Sequence, residues 1–238
     1  GLNNPMQAPT PLPEVAQKAL DKLQALCPMR FQNFVIMDQT FTIWTPCDID
    51  FLLNALIEKE DKHLDVQDER MPYWAELWPS SLLMAQTILE KRSEIPSGRW
   101  LEVGCGPGLP GIVAARIGHK GTFSDYMQEA LWLATLNAHQ NNCEKNVRFE
   151  EIDWRNPTGK QSYSWILAGD LVYERRNFIP LLSTFDSYLE PGGEIWVAEP
   201  GRSIAKSFFD HMESEGWIQE VISQNEDATI TKFIKRTR

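Results

Sequence analysis

The densest chemical signal is the run Leu101-Glu102-Val103-Gly104-Cys105-Gly106-Pro107-Gly108-Leu109-Pro110-Gly111. Glycine is wanted where a chain turns sharply off a strand and where backbone must approach a ligand with no Cβ in the way. Pro110 suits the first turn of a helix, where its missing N–H goes unused. Strand, glycine turn and helix start are therefore all specified. Asp125 follows Gly106 by 19 residues, at the predicted end of the next strand, where an acid can accept hydrogen bonds from ribose hydroxyls. This pattern predicts a ribose-bearing cofactor; the alternative is a tight turn with nothing bound.

Gly106-x-Gly108-x-x-Gly111 satisfies the dinucleotide fingerprint, so a nicotinamide cofactor has to be weighed. Three features count against it. Glu102 puts a carboxylate at the strand end, which suits a cationic ligand better than a pyrophosphate. The rest of the chain completes one sheet and leaves no second domain for a hydride acceptor. The last two predicted strands are too close for a crossover helix and imply an antiparallel hairpin at the sheet edge.

Further along, Gly169-Asp170-Leu171-Val172-Tyr173-Glu174 follows a predicted strand. Asp170 and Tyr173 then sit where open α/β sheets bind ligands, and a spacing of three puts both on one face if a helical turn follows. Alternatively, Asp170 caps that turn and Tyr173 packs its ring. Trp74, Glu76 and Trp78 could wall an acceptor site, or pack against the sheet as helix-entry aromatics. His63, His119, His139 and His211 show no metal-ligand spacing, nor do Cys27, Cys47, Cys105 and Cys143, which are expected to be reduced thiols.

Apolar periodicity and turn residues predict the elements that position these groups. Pro5, Pro9, Pro11 and Pro13 make an extended lead-in, followed by a helix over 14–26, two short strands over 31–44 around Asp38-Gln39, and a helix over 50–58. Charged residues 59–70 read as a linker. Helices are then predicted over 80–91, 110–117, 128–141, 176–189 and 204–215. Strands are predicted over 99–103, 121–124, 147–150, 165–168, 194–198, 217–222 and 229–234. Strands alternating with helices argue for a mainly parallel sheet covered on both faces. Two parts are expected: an N-terminal extension over 1–70 and a sheet domain over 71–238.

The 238 residues are 42% hydrophobic and 24% charged, a composition that folds without disulfide or metal staples. Against 33 acidic residues stand 23 basic ones, a net charge of −10. That is the wrong sign for gripping a nucleic acid backbone or an anionic membrane. With no apolar run of membrane-spanning length and no basic-then-apolar start, the expectation is a soluble, cytoplasmic protein. Oligomeric state is left open.

Glu102-x-Gly104-x-Gly106-x-Gly108 with Asp125, the Asp153-Trp154 pair and the hairpin end resembles the class I, seven-strand S-adenosylmethionine-dependent methyltransferases over residues 71–238. The resemblance implies a Rossmann-like doubly wound sheet of strand order 3-2-1-4-5-7-6. It places Glu102, Gly104, Gly106 and Gly108 along the methionine moiety, Asp125 on the ribose, and Asp153 and Trp154 beside the adenine, with Cys105, Tyr126 and Trp78 also at the cofactor. Trp154 as a packed core aromatic is the plainer reading.

Pro72-Tyr73-Trp74-Ala75-Glu76-Leu77-Trp78-Pro79-Ser80, the Asp170-x-x-Tyr173 pair and Glu199-Pro200-Gly201-Arg202 are similar to methyltransferase family 16, including the lysine methyltransferase of the electron-transfer flavoprotein β subunit. Relatives often carry Asp where Glu199 stands. The resemblance implies methyl transfer to a lysine of a protein, with Asp170 and Tyr173 as catalytic residues. Two alternatives stay open: methylation of a small amine or heterocyclic metabolite, and a non-catalytic binding module on the same fold.

Overall fold

A computed structural model describes residues 6–59, 73–157, 162–169, 171, 175–201 and 203–236. The chain opens with α1 (Glu14–Leu26), whose buried face is Ala16, Ala19, Leu20 and Leu23, a three-and-four spacing. The hairpin β1 (Met29–Ile36) and β2 (Gln39–Pro46) turns at Met37, with φ of 56°, and leads to α2 (Ile49–Lys59). The linker expected over 59–70 lies, past the end of α2, outside the described residues.

After a single 3-10 turn at Tyr73–Ala75 come α3 (Pro79–Glu90), β3 (Trp100–Val103), α4 (Leu109–Arg116), β4 (Gly121–Asp125), α5 (Gln128–Gln140) and β5 (Val147–Glu151). The second half runs β6 (Tyr163–Gly169), α6 (Phe178–Tyr188), β7 (Leu189–Glu199), α7 (Ser203–Ser214), β8 (Trp217–Gln224) and β9 (Thr229–Lys235). The sheet order is β5-β4-β3-β6-β7-β9-β8, with β9 antiparallel to both its neighbours. Counted from β3, this is the expected order 3-2-1-4-5-7-6.

Most element bounds match the sequence reading closely. The exception is β7, which starts at Leu189 rather than at Glu194. Leu189 pairs with Tyr163 and Glu194 with Trp165, and the irregularity between them absorbs the turn-like Pro191-Gly192-Gly193, where Gly192 has φ of 81°. An extra loop of residues can thus stay within a strand as a bulge.

Strand residues alternate between two cores. Trp100, Phe123, Trp165, Leu167 and Trp196 pack under α3, α4 and α5. Leu101, Val103, Ile166, Ala168, Ile195 and Val197 pack under α6 and α7 through Leu181, Phe185, Phe208 and Met212. The N-terminal elements add to these layers. Ala16, Leu20, Leu23 and Trp44 form one cluster with Leu133 and Leu136 of α5, while Phe41 and Ile43 join the α3–α5 side of the main core. The described part of the expected 1–70 extension is therefore packed into the sheet domain.

Among the described residues no helix is long and apolar enough to cross a membrane. All four cysteines are free thiols, and all but Cys47 are buried.

Candidate active site

Connections from β3 and β6 leave the sheet in opposite directions, so a crevice opens at the carboxyl ends of these two central strands. The cleft there encloses about 790 Å³ including its mouth. Its floor is Glu102, Gly104, Cys105 and Gly106 from β3 and its turn, Asp125 and Tyr126 from β4, and Leu167, Ala168 and Gly169 from β6. Trp154 forms part of the wall, and Tyr73, Trp74, Glu76 and Trp78 form a mostly aromatic rim.

The turn takes its shape from glycines at positive φ: 66° at Gly104, 50° at Gly106 and 84° at Gly108. A Cβ on Gly106 would stand 3.1 Å from the Trp74 carbonyl, so the loop and the aromatic rim touch through bare backbone. Gly108, by contrast, does not line the cleft. A Cβ there would meet the Phe123 ring at 3.0 Å, so this glycine serves the packing of α4 on β4.

Two carboxyl groups are buried in the floor. Glu102, 5% exposed, accepts the Gly111 N–H in the first turn of α4 at 3.3 Å. Asp125, 4% exposed, accepts the Gly106 N–H at 3.3 Å and the Met127 N–H at 3.0 Å. Burial, with the Asp125 charge adding, pushes the Glu102 carboxyl up to about 8, and burial lifts Asp125 to about 6. Burial also drives the Cys105 thiol well above its ordinary range, with the charges of Asp125 and Glu102 adding to the rise, so it is no nucleophile.

Glu76 at the rim is the third acid. Among the described residues, no lysine, arginine or histidine lines the cleft. Such a donor set fits a cationic group and repels a pyrophosphate. The glycine turn, with no Cβ in the way, and the Asp125 acceptor beside it fit an S-adenosylmethionine.

The structure brings Glu102, Gly104, Cys105, Gly106, Asp125, Tyr126, Trp154 and Trp78 to one cleft. Trp154 is only 3% exposed, with its carbonyl held by the Thr184 hydroxyl at 2.7 Å, so it is both a core aromatic and a wall. Asp153 is not part of the lining; its carboxylate pairs with Arg155 at 3.0 Å, and that guanidinium lies 4.7 Å over the Tyr126 ring. Asp170, Tyr173 and Arg202 lie outside the described residues.

One polar residue near the site escaped the sequence reading. Asn137 sits on the apolar face of α5, fully buried, and donates to the Pro107 carbonyl of the glycine turn at 2.9 Å. An amide among Leu133, Ala134 and Leu136 was the available signal, because a buried amide must find partners.

A parallel sheet with a reversed edge hairpin and its cleft at the switch point is the architecture of class I methyltransferases. A family model, Lysine methyltransferase, matches residues 58–215, and the chain belongs to that family.

Protein N-lysine methyltransferase METTL21A of Danio rerio is 31% identical over 126 residues, covering 50% of this chain and 56% of the relative. The Histidine protein methyltransferase 1 homolog of Dictyostelium discoideum is 28% identical over 127 residues, covering 51% and 41%. The Electron transfer flavoprotein beta subunit lysine methyltransferase of Xenopus laevis is 27% identical over 137 residues, covering 56% and 54%. The chain thus spans about half the length of the curated relatives it matches. In fold it is similar to the T. thermophilus 16S rRNA N2 G1207 methyltransferase (RsmC) in complex with AdoMet and guanosine, with a TM-score of 0.63 and 13% identity over 87% of this chain and 51% of that one.

Proposed function

We propose that this chain is an S-adenosylmethionine-dependent methyltransferase acting on a cationic amine of a protein, most directly a lysine side chain. The observation that carries this reading is a cleft lined by three acids and, among the described residues, no base. A sulfonium, a ligand ammonium and a lysine ammonium are each favoured there by Coulomb attraction in a partly desolvated site.

S-Adenosylmethionine would supply an electrophilic methyl on a positively charged sulfur. Glu102 and the glycine turn from Gly104 to Gly106 would hold its amino-acid end, with Cys105 packing as a small apolar group. Asp125 would accept the ribose hydroxyls through lone pairs left over from the Gly106 and Met127 N–H groups. Tyr126 and Trp154 would flank the adenine. Asp153, next to Trp154 and paired with Arg155, would stand beside them.

Lysine, with a reference pKa of about 10.4, must lose its proton before attack, at roughly 4.6 kcal/mol at pH 7. A neighbouring carboxylate raises that cost, so Asp170 serves to capture and position the cation, and Tyr173 adds a ring face and a hydroxyl. The proton leaves to water. Close placement of amine and methyl supplies most of the acceleration.

No described residue of the 31–58 segment lines the cleft, which supports a macromolecular acceptor over an enclosed metabolite. The test is incubation of the chain and methyl-tritiated S-adenosylmethionine with a lysate. Label in protein recovered as methyl-lysine on hydrolysis is the expected result. Label confined to small molecules would refute the protein acceptor, and methyl-histidine or methyl-arginine would refute lysine.

A further inference from the structure

Among the described residues, no strand pairs with the outer edge of β2. Its other edge is taken by β1, yet the Thr42 and Trp44 backbone groups that face outward are both satisfied. The Trp44 N–H donates to Asn137 Oδ1 at 2.7 Å, and the Asn137 amide returns a bond to the Trp44 carbonyl at 3.1 Å. One turn on, the Thr42 N–H donates to Asn141 Oδ1 at 2.9 Å and the Thr42 carbonyl accepts from Asn141 at 2.8 Å.

The match is geometric. Four residues of helix rise about 6.0 Å and two residues of strand about 6.6 Å, so side chains at i and i+4 meet backbone at j and j−2 of the strand, which runs antiparallel to the helix. Helix α5 thereby acts as a third strand for the hairpin.

The two amides differ in one respect. Asn141 spends its second N–H on its own helix, at the Asn137 carbonyl 2.7 Å away. Asn137 spends its second N–H on the Pro107 carbonyl, between Gly106 and Gly108. The Trp44 N–H fixes which end of this amide is oxygen, so the hairpin dictates that an N–H points at the turn.

We propose that Asn137 is a positioning residue for the glycine turn, holding the Pro107 peptide in place from the N-terminal hairpin, so that cofactor affinity depends on β2 although β2 does not touch the cleft. This inference rests on the cofactor reading above. The coupling is reciprocal: a ligand that orders the turn must also strengthen the Trp44–Asn137 bonds.

The test is calorimetric titration of the full chain with S-adenosylhomocysteine, alongside thermal unfolding. Asn137→Ala is expected to weaken binding about five- to tenfold, the weight of one buried hydrogen bond. Asn141→Ala, which loses as many bonds to the hairpin but none to the turn, should change affinity less than about twofold at a comparable loss of Tm. Equal losses of affinity in the two variants would reduce Asn137 to a hairpin anchor and overturn the inference.

Hydrogen exchange of the unsubstituted chain decides the matter if Asn137→Ala does not fold. Saturating ligand should slow exchange at the Trp44 amide and leave the Thr42 amide unchanged; no slowing at Trp44 overturns it. A parent chain that does not bind S-adenosylhomocysteine refutes the cofactor reading itself, a separate outcome from binding with equal variants.

Discussion

Glu102 and Asp125 make ligand affinity a function of pH, and the structure sets its sign and size. In the ligand-free protein burial raises Glu102 to about 8 and Asp125 to about 6, and among the described residues no cation lines the cleft to offset it. At pH 6, Glu102 is then about 99% protonated and Asp125 about half. A bound sulfonium or ammonium favours both charged forms and pulls the two groups back toward ordinary carboxylate values. Binding therefore releases protons, and affinity climbs with pH. From pH 6 to pH 8 the gain is about 50-fold through Glu102 and about twofold through Asp125, or about 100-fold together.

Titration calorimetry with S-adenosylmethionine in two buffers of different ionisation enthalpy measures this directly. About 1.5 protons should leave per ligand at pH 6 and far fewer above pH 8. Glu102→Gln keeps an oxygen for the Gly111 N–H but cannot titrate, so it should lose most of the pH dependence. An affinity that stays flat between pH 6 and pH 8, with no proton release, would refute both the buried carboxyl and the cation placed beside it.

Two further outcomes follow from the same structure. The ligand-free chain should lose stability as pH rises from the ordinary carboxylate range through about 8, since a raised folded-state pKa stabilises only while the proton is held; Tm between pH 6 and pH 9 should fall more for the parent than for Glu102→Gln, and equal slopes would contradict it. Gly121→Ala would place a Cβ 1.9 Å from the fully buried Trp100 ring, whose indole N–H is held at 2.7 Å by the His119 carbonyl. That overpacking should cost about 3 kcal/mol in urea unfolding, and a loss under about 1 kcal/mol would show that Trp100 can give way.

Much of the site was legible because its signals are local. Glycines at positive φ, Pro110 in the first turn of α4 and Asp125 at the end of β4 follow from backbone sterics, and the 101–111 run and its acid point to one cleft before any packing is known. The unbroken burial of Trp100–Val103 and of Tyr163–Ala168 shows both faces of the sheet to be covered. Two details beyond that reading are equally local. Asp153 and Trp154 adjoin in the chain, yet Trp154 lines the cleft while the Asp153 carboxylate pairs with Arg155 two residues on. Pro191-Gly192-Gly193 precedes the strand expected over 194–198, yet the bulge against Tyr163 keeps it within β7.

By itself, then, the sequence determined the order of strands and helices, the glycine turn, and the acid that follows it, because neighbours along the chain impose those choices through φ, hydrophobic period and turn chemistry. Tertiary structure alone decided that residues 93 apart, Trp44 and Asn137, share an amide that also grips the Pro107 carbonyl. It alone decided that Glu102 and Asp125 are buried together in a cleft where no described residue is basic. Which side chains meet across a core depends on how whole layers dock, and the shift in a carboxyl's proton affinity depends on the water that docking removes.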